Sequence, residues 1–386
     1  MITLGRRLMV LGLLVLLNAC DAPQETKASR SDAGFAGLGA SAEGYAQARP
    51  GMLLRFPEDH GPHPDFRIEW WYLTANLEDK DGEPLGMQWT LFRQALQPTS
   101  AGTEPAGPWA VKQLWMAHMA LSRGEQHRVA ERFARGAGMP PWNGSQQAGV
   151  TARPFRAWLD NWQLASLGAK GDELDWLRLT AQAEDEQGDF GYELELKAEG
   201  PLVRHGVGGF SQKSADGQGS LYYSQPFYRV SGEVWLNGQR LAVSGQAWLD
   251  REWSSQLLSA GQRGWDWFSL HLDSGAKVMV FRLRGGSDNH SDYLSGSWIS
   301  PDGEVTPLST TAFTLEPKAR TGVAGRQVPV RWQLTLPEQQ LTLNISAHHP
   351  NRWMPTSVPY WEGAVRVTDA ASGAPRGQGY LEMTGY

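Results

Sequence analysis

The sequence predicts an all-β protein, and two patterns support this prediction. Apolar and polar residues alternate along several segments, for example from Phe190 to Lys197, as expected for a strand with one buried face. Turn signals separate these segments, and Asn237-Gly238 between two apolar runs is a strong signal for a two-residue hairpin. Helical periodicity is scarce from Leu53 onward. Many short strands joined by tight turns favour a barrel or a sandwich.

Composition narrows the class of protein further. The chain has 386 residues, a net charge of −6, 18 Trp and one Cys. An acidic chain without a basic tract offers no positively charged surface that would attract the phosphates of nucleic acid. A mean hydropathy of −0.43 argues against a polytopic membrane protein. The single cysteine excludes a disulfide framework and a cysteine-rich metal site. The length is that of a globular protein with two domains or one large domain.

The first residues resemble a bacterial lipoprotein signal. Two arginines precede an apolar run from Leu8 to Leu17, which is too short to span roughly 30 Å of hydrocarbon and is typical of a secretory signal. The segment Leu17-Asn18-Ala19-Cys20 resembles the lipobox, the motif at which the signal peptide is cleaved just before the cysteine. In a lipoprotein this cysteine, here Cys20, carries acyl chains such as palmitate. We therefore expect residues 1–19 to be a signal peptide and the lipid bilayer to be a partner through acylated Cys20. An ordinary signal peptide that contains a cysteine is the alternative.

Two further expectations follow for the segment after the signal. Asp21 resembles the sorting signal that keeps lipoproteins in the inner membrane, so we expect a periplasm-facing, inner-membrane lipoprotein of the cell envelope. Residues 20–50 are rich in Ala, Gly, Ser and Gln and lack apolar periodicity. Such a composition predicts a flexible tether.

The segment from Asp59 to Tyr72 concentrates polar and aromatic side chains. His60 and His63 have the spacing His-x-x-His, and with the nearby carboxylates they are candidate metal ligands. However, the Gly-Pro and His-Pro steps predict an extended, turn-rich segment, so the spacing alone does not bring the imidazoles together. We favour a structural role that closes one end of a barrel, with a ligand mouth and a metal site as alternatives, and we expect no metal.

Two hairpins of the sequence share one pattern. Glu69-Trp70-Trp71-Tyr72 begins a strand that leads through an Asp-Gly turn to a strand ending in Phe92-Arg93. Trp265-Asp266-Trp267-Phe268 leads through Asp273-Ser274-Gly275 to a strand ending in Phe281-Arg282. The echo indicates two related β domains, divided between about residues 220 and 255. Chance similarity between hairpins of an all-β protein is the alternative.

The densest cluster of polar and aromatic residues surrounds Asp250. Asp250 and Glu252 lie two residues apart on an extended segment, so both carboxylates and Trp248 point to one face, and Arg251 and Trp253 point to the other. A carboxylic acid beside aromatic walls has a raised proton affinity, which suits general-acid catalysis. The alternative is a salt-bridge cluster packed beneath tryptophan, which the spacing alone favours.

The sequence was also compared with the patterns of nucleophiles, of nucleotide-binding loops and of histidine bases. The hydroxyls and the lysine between Gly208 and Ser224 lack the Gly-x-Ser-x-Gly nucleophile elbow. The sequence contains neither a phosphate-binding glycine loop nor a dinucleotide fingerprint, so we expect no cofactor. His118 lies on an apolar strand, where a hydrogen-bonded core histidine is favoured over a base that faces a barrel lumen.

Five motifs in this order along the chain resemble those of one family. They are His60-Gly61-Pro62-His63-Pro64-Asp65-Phe66-Arg67-Ile68-Glu69-Trp70-Trp71-Tyr72, Gly209-Phe210-Ser211-Gln212-Lys213, Ala247-Trp248-Leu249-Asp250-Arg251-Glu252-Trp253-Ser254, Gly264-Trp265-Asp266-Trp267-Phe268 and Gly379-Tyr380-Leu381-Glu382-Met383-Thr384-Gly385-Tyr386. The motifs resemble the AttH-type family of "predicted secreted hydrolases", whose N-terminal half is similar to the carotenoid 1,2-hydratases. The resemblance covers about residues 53 to 386. It implies two lipocalin-like antiparallel β-barrels side by side, which we place at residues 51–248 and 249–386.

The resemblance also bears on the catalytic residues. In the carotenoid hydratases, an aspartate in a Tyr-x-Asp step and an upstream His-x-Trp step are assigned to catalysis. Asp250 matches the aspartate, Trp248 occupies the tyrosine position, and the upstream step falls near Leu221-Tyr222-Tyr223, which contains no histidine.

Three classes of function fit these observations. The leading hypothesis is a membrane-anchored lipocalin-like protein that binds a long apolar molecule, a lipid or an isoprenoid, in an aromatic-lined cavity. The alternative is a hydratase or hydrolase in which Asp250 donates a proton, Glu252 assists and Tyr223 contributes. The third is an accessory lipoprotein of an envelope ABC transporter. The candidate ligand-binding residues are Trp70, Trp71, Tyr72, His118, Tyr222, Trp248, Trp253, Trp265 and Trp267.

Overall fold

The structure, a computed structural model, describes residues 42–99, 112–136, 147–168, 171–259, 261–285 and 292–386. These residues form two antiparallel sheets, and the chain passes from the first to the second between Ser254 and Gln262. A single 3-10 turn, Glu58–His60, precedes the first strand. No helix among these residues is both long and apolar enough to cross a membrane.

The first sheet contains thirteen strands and curves into a nearly closed barrel. Its order is β4-β3-β2-β1-β13-β12-β9-β8-β7-β6-β5, with β10 and β11 paired to β12. The strands are β1 (Ile68–Asp79), β2 (Pro84–Ala95), β3 (Gln113–Arg123), β4 (Gln126–Gly136), β5 (Ala148–Ala152), β6 (Phe155–Leu159), β7 (Trp162–Ser166), β8 (Trp176–Asp185), β9 (Gly188–Ala198), β10 (Val203–Arg204), β11 (Phe210–Gln212), β12 (Gly219–Leu236) and β13 (Gln239–Ser254).

The second sheet contains ten strands and forms a half-barrel beside the first. Its order is β17-β16-β15-β14-β23-β22-β20-β19-β18, with β21 paired to β22. The strands are β14 (Gln262–Leu272), β15 (Lys277–Gly285), β16 (Tyr293–Ile299), β17 (Val305–Leu308), β18 (Thr314–Val323), β19 (Arg326–Leu336), β20 (Leu341–Ala347), β21 (Trp353–Met354), β22 (Tyr360–Asp369) and β23 (Pro375–Met383). The predicted all-β architecture of two barrel-like sheets side by side is confirmed, although the second sheet curves only halfway.

The interior of the first barrel is filled by large side chains. Strand β1 shows the alternation, because Trp71 and Leu73 point inward whereas Trp70 and Tyr72 point outward. Tryptophans from four further strands join Trp71 in this core: Trp89, Trp115, Trp162 and Trp253. Much of the tryptophan excess therefore packs a hydrophobic core, which stabilises the barrel by roughly 25 cal/mol for each Å² of apolar surface buried.

The outward faces of the two sheets pack against each other through a separate aromatic cluster. Its members include Tyr72, Tyr222 and Trp248 from the first sheet and Trp267 and Phe281 from the second. The sheets also approach closely near Gly86 of β2, where an added Cβ would lie 3.0 Å from the Tyr380 hydroxyl and 3.1 Å from the Ala364 Cβ. The domain boundary that we expected between residues 248 and 249 lies inside strand β13. This strand belongs to the first sheet as far as its end at Ser254.

The segment before β1 packs on the barrel. The Ala46 amide donates to the Asp65 carbonyl at 2.9 Å, and the Tyr45 hydroxyl donates to the Ala95 carbonyl at 3.1 Å. Residues 42–50, the last part of the predicted tether, are thus held in place by these contacts. The predicted signal peptide at residues 1–19, Cys20, Asp21 and the remainder of the tether lie outside the described residues.

Candidate functional site

A cavity of about 230 Å³ lies between the two sheets, not inside the barrel. Its floor is the outer face of the first sheet, formed by strands β1, β2, β3, β4, β12 and β13. Its opposite wall is formed by β14, β15 and β23 of the second sheet, and the segment before β22 closes one side. The cavity is mostly apolar in lining, as is usual for a small-molecule site.

One row of polar side chains crosses the floor perpendicular to the strands. Residues directly opposite each other in an antiparallel sheet lie on the same face, so pairing in register lines them up. Successive pairs are Glu131 with His118, His118 with Thr90, Thr90 with Tyr72, Tyr72 with Asp250 and Asp250 with Ser224. Antiparallel register therefore gathers residues that are up to 178 positions apart in sequence, such as Tyr72 and Asp250, onto one line.

A neighbouring row on the same floor is mainly aromatic. Its successive pairs are Tyr222 with Glu252, Glu252 with Trp70, Trp70 with Phe92, Phe92 with Met116 and Met116 with Phe133. All of these residues line the cavity. The polar row thus runs beside an aromatic row, which would hold an apolar molecule within reach of the polar groups.

The second sheet supplies two indoles to the opposite wall. The Trp267 Nε1–H donates to the Tyr222 hydroxyl at 3.1 Å, and the Trp265 Nε1–H donates to Glu382. Phe281 and Leu283 of β15 complete this wall. The second sheet is therefore part of the site, because it orients the floor's Tyr222 and brings its own carboxyl group, Glu382.

Asp250 lies between Tyr72 and Ser224 in the polar row and is only 2% exposed. The Trp248 indole donates to its Oδ1 at 2.6 Å, and the Ser224 hydroxyl donates to the same oxygen. The Tyr222 hydroxyl donates to Oδ2 at 2.9 Å. All three donors are neutral, so they orient the carboxyl group without supplying a positive charge.

This environment sets the proton affinity of Asp250. Burial raises its pKa to about 7, although the hydrogen bonds from Ser224, Trp248 and Tyr222 act in the opposite direction. The negative charge of Glu252 adds to the increase. A carboxylic acid with a pKa near neutral pH can both give and take a proton at that pH, as general acid–base catalysis requires.

Glu382 is a second buried carboxyl group in the cavity wall. Burial raises its pKa to about 7, opposed by the hydrogen bond from Trp265 and strengthened by the negative charge of Asp250. Glu362 lies directly opposite Glu382 in the pairing of β22 with β23. Burial and the charge of Glu382 raise the pKa of Glu362 well above its ordinary value.

Glu252 has a different environment from Asp250. Its Oε1 lies 2.8 Å from the Lys213 ammonium and also accepts a hydrogen bond from the Ser220 hydroxyl. The Lys213 ammonium lies 4.1 Å from the centre of the Phe281 ring and 5.0 Å from that of Tyr222. Glu252 therefore belongs to an ion pair that shapes the cavity, while Asp250 has no cation among its hydrogen-bond partners.

A histidine reaches Asp250 indirectly. The His205 Nε2 lies 2.6 Å from the Ser224 hydroxyl, and its Nδ1 lies 2.9 Å from the Ser297 hydroxyl on the second sheet. Burial and the nearby Lys213 charge lower the pKa of His205 to about 3, so the imidazole is neutral. His205, Glu362 and Glu382 were not among the candidate residues predicted from the sequence, and Ser224 was noted only as one of several hydroxyls in its segment. The only signal for Glu382 was its position in the C-terminal motif.

The structure brings most of the candidate residues together around the cavity. Its lining includes Trp70, Tyr72, His118, Tyr222, Asp250, Glu252, Trp265 and Trp267. Trp248 lies behind Asp250 and contacts it through the indole. Tyr223, Trp71 and Trp253 point the other way, into the barrel core, because strand residues alternate between the two faces.

The segment with two histidines packs against strands of the first sheet. His60 is buried and contacts the Tyr223 hydroxyl at 2.7 Å. His63 stacks on Trp253, with ring centres 3.9 Å apart, and contacts Glu69 and Asp59. The two imidazoles thus make separate polar contacts. Among the described residues, no group of three or more His, Cys, Asp or Glu side chains is arranged to hold a metal ion.

The chain matches the model of the AttH-like family over residues 47–386. The chain is similar to the crystal structure of an AttH protein from Nitrosomonas europaea, with 32% identity, a TM-score of 0.73, and coverage of 88% of this chain and 99% of that one. None of the curated proteins searched matches the chain.

Two more distant structures share the fold. Kievitone hydratase from Nectria haematococca has 15% identity and a TM-score of 0.60, over 88% of this chain and 95% of that one. CghA with Sch210972 has 11% identity and a TM-score of 0.50, over 89% of this chain and 97% of that one. At these identities the likeness concerns the fold.

Proposed function

We propose that this chain, which belongs to the AttH-like family, binds an apolar, unsaturated molecule between its two sheets and adds water to one of its C–C double bonds. The observation that carries the proposal is Asp250, a fully buried carboxyl group beside an aromatic-walled cavity, with a pKa raised by burial to about 7. Kievitone hydratase supports only the fold, so the proposal rests on the geometry of this site.

The binding step uses the aromatic row and the indoles. A cavity of about 230 Å³ is smaller than the roughly 300–1,000 Å³ of typical small-molecule sites, so we expect it to enclose the reacting end of a longer molecule. Burial of apolar surface against Trp70, Phe92, Trp265 and Phe281 contributes the affinity. A lipid or isoprenoid chain has the required shape and polarity.

The chemical step uses Asp250 as the general acid. The π electrons of the double bond take the Asp250 proton to form a C–H bond, and the neighbouring carbon becomes cationic. The rings of Tyr222 and Trp267 line the cavity and stabilise that cation by cation–π attraction. A water molecule then forms the C–O bond and loses one proton to the Glu382 carboxylate, which a pKa of about 7 leaves partly ionised at neutral pH. Asp250, left as a carboxylate, regains a proton from water that enters the cavity after the alcohol leaves.

The test combines turnover with binding. The protein is incubated with acyclic isoprenoids that carry an isolated double bond in water labelled with oxygen-18, and labelled alcohol is measured by mass spectrometry. Asp250→Asn keeps the shape of the side chain but cannot donate an acidic proton, so we expect turnover to fall by about 10²–10⁴-fold while an apolar fluorophore still binds. Turnover retained in this variant would contradict the role of Asp250.

A matched pair of tryptophans tests the place of binding. Trp70→Ala removes part of the cavity lining and should weaken binding of the fluorophore by about tenfold, which corresponds to roughly 1.4 kcal/mol. Trp235→Ala removes an indole that lies under Arg240 outside the cavity, and it should leave binding unchanged. Tight binding without turnover on any substrate would favour the second candidate, a protein that only binds an apolar molecule.

The envelope roles remain proposals from the sequence. Acylation of Cys20 would tether the site to a bilayer, where apolar substrates concentrate, and Asp21 favours the inner membrane. Labelling cells with a fatty-acid analogue should mark the wild-type chain and not Cys20→Ser. An accessory role beside an envelope ABC transporter is the third candidate, and cross-linking in membranes tests it by identifying the transporter.

A further inference from the structure

We propose that Glu131, His118, Tyr360, Glu362 and Tyr72 form a proton relay that connects solvent with Glu382 at the cavity wall. The relay deepens the proposed function, because it gives the buried base a path by which to release a proton. The existence of the relay is independent of the reaction, and the experiment below requires no substrate.

The outer half of the relay begins at the surface. The Glu131 side chain is 18% exposed, and its Oε1 lies 3.0 Å from the His118 Nε2. The His118 ring is 1% exposed, and its Nδ1 lies 2.9 Å from the Tyr360 hydroxyl. These contacts cross from the first sheet to the second, because His118 belongs to β3 and Tyr360 to β22.

The inner half of the relay reaches the cavity wall. Tyr360 and Glu362 are two residues apart on β22, so their side chains lie on the same face, and each affects the pKa of the other. The Tyr72 hydroxyl donates to the Glu362 Oε1, and Glu382 lies directly opposite Glu362 in the pairing of β22 with β23. Hydrogen bonds therefore join Glu131 to Tyr360 through His118 and join Tyr72 to Glu362, and the remaining steps of the relay connect neighbouring side chains.

The protonation states give the relay one direction. Burial lowers the pKa of His118, so its imidazole is neutral. Burial opposes ionisation of Glu131, yet the hydrogen bonds from His118 and Ser357 lower its pKa, so it is a carboxylate. His118 must then carry its proton on Nε2, where it faces Glu131, and its Nδ1 accepts a proton from Tyr360. Glu362 accepts the Tyr72 hydrogen bond on Oε1, so its own proton lies on Oε2, which has no hydrogen-bond partner among the described residues and can rotate toward the Tyr360 hydroxyl.

One proton can therefore leave the cavity by a series of short transfers. Glu382 takes a proton from the attacking water and passes it to Tyr72 as Tyr72 passes its own to Glu362. Glu362 passes its proton to Tyr360, Tyr360 to the His118 Nδ1, and His118 releases the Nε2 proton to Glu131. One O–H or N–H bond breaks and one forms at each intermediate residue, and Glu131 releases the proton to solvent.

Asp250 offers an instructive contrast. Its own chain passes through Ser224 and His205 to Ser297, and all three of these residues are fully buried. That chain has no exposed member comparable with Glu131. The relay is thus a polar chain that leads from a carboxyl group of the cavity wall to a partly exposed group, Glu131.

The test measures exchange of a buried proton in the full chain without ligand. Protonated carboxyl groups have a distinct C=O infrared band that shifts when the proton is replaced by deuterium. Glu362→Gln identifies the band of Glu362. We expect this band to shift rapidly after transfer of wild-type protein into deuterium oxide. In Tyr360→Phe the shift should slow by about tenfold or more, because exchange then needs a local opening of the structure.

Tyr380→Phe is the matched control, because Tyr380 is a buried tyrosine near Glu362 that lies outside the relay. It should exchange as fast as the wild type, and general loosening of the packing would accelerate exchange, not slow it. His118→Gln interrupts the same path and serves if Tyr360→Phe folds poorly. Exchange in Tyr360→Phe as fast as in the wild type, or a carboxyl band that survives Glu362→Gln unchanged, would overturn the relay while leaving the hydration proposal standing.

Discussion

Glu69 and Asp250 are both buried carboxyl groups on neighbouring strands, but they lie on opposite faces of the same sheet. Glu69 belongs to the network inside the barrel, where the guanidinium groups of Arg93 and Arg251 contact it. Asp250 faces the second sheet, and its three donors are neutral. Burial acts against ionisation of both groups. The two arginines outweigh it and hold the pKa of Glu69 well below its usual range, whereas the pKa of Asp250 rises to about 7.

The inner arrangement is repeated in the second sheet. Glu69 lies directly opposite Arg93 in the pairing of β1 with β2, and Asp266 lies opposite Arg282 in the pairing of β14 with β15. Both acid–arginine pairs are ion pairs. The repeat indicates that this pair belongs to the architecture of the sheet. Burial alone therefore does not decide whether a carboxyl group of this sheet is ionised, because the charge of its hydrogen-bond partners outweighs it at Glu69.

The comparison predicts its largest effect for Glu69→Gln. Loss of one partner leaves two buried guanidinium groups without full compensation, so the free energy of unfolding should fall by about 3–5 kcal/mol. Urea unfolding measures this change. Glu233→Gln breaks an exposed pair with Arg240 and should change stability by no more than about 0.5 kcal/mol. Equal effects of the two variants would show that the buried Glu69 network stabilises the fold no more than the exposed pair does.

The second prediction concerns pH and has the opposite sign for the two carboxyl groups. The folded-state pKa of Asp250 lies above that of the unfolded chain, so the folded state binds more protons between about pH 4 and pH 7. The contribution of Asp250 to stability is therefore fully present below about pH 4 and is lost as the pH rises to about 7, by up to about 4 kcal/mol. Glu69 behaves in reverse, and its contribution is lost as the pH falls.

Asp250→Asn isolates this contribution. The difference in unfolding free energy between wild type and variant, measured in urea at a series of pH values, should decrease from pH 4 to pH 7 and then stay constant. A difference that does not vary with pH would mean that Asp250 titrates at its ordinary pKa when folded.

The smallest effect is expected for Ser224→Ala. The Ser224 hydroxyl stabilises the ionised form of Asp250, so its loss should raise the pKa of Asp250 by about one unit, equivalent to roughly 1.4 kcal/mol. The carbon-13 signal of the Asp250 carboxyl group in NMR titration reports this change. Ser220→Ala is the control, because Ser220 lies on the same strand and donates to Glu252. The same displacement in both variants would show that loosened packing, not the hydrogen bond, causes it.

The sequence predicted the fold more fully than the site. Alternation and turn signals gave strands, and alternation also placed Trp248, Asp250 and Glu252 on one face and Arg251 and Trp253 on the other, because the side-chain period of a strand is two. The aromatic candidates could not be sorted in the same way. Trp70 and Trp71 differ by one position, and only the curvature of the sheet shows that Trp71 fills the core and Trp70 lines the cavity.

Local spacing along the chain was enough to predict the class of fold, the face shared by Asp250 and Glu252, and the two similar hairpins. The position of the cavity and the groups that meet there depend on long-range packing instead. His118, Tyr72 and Asp250 reach one row through strand register, and Glu382 and Glu362 reach the same place because a second sheet packs on that face. Register and sheet packing are long-range properties, since they depend on pairing between strands that are distant in sequence.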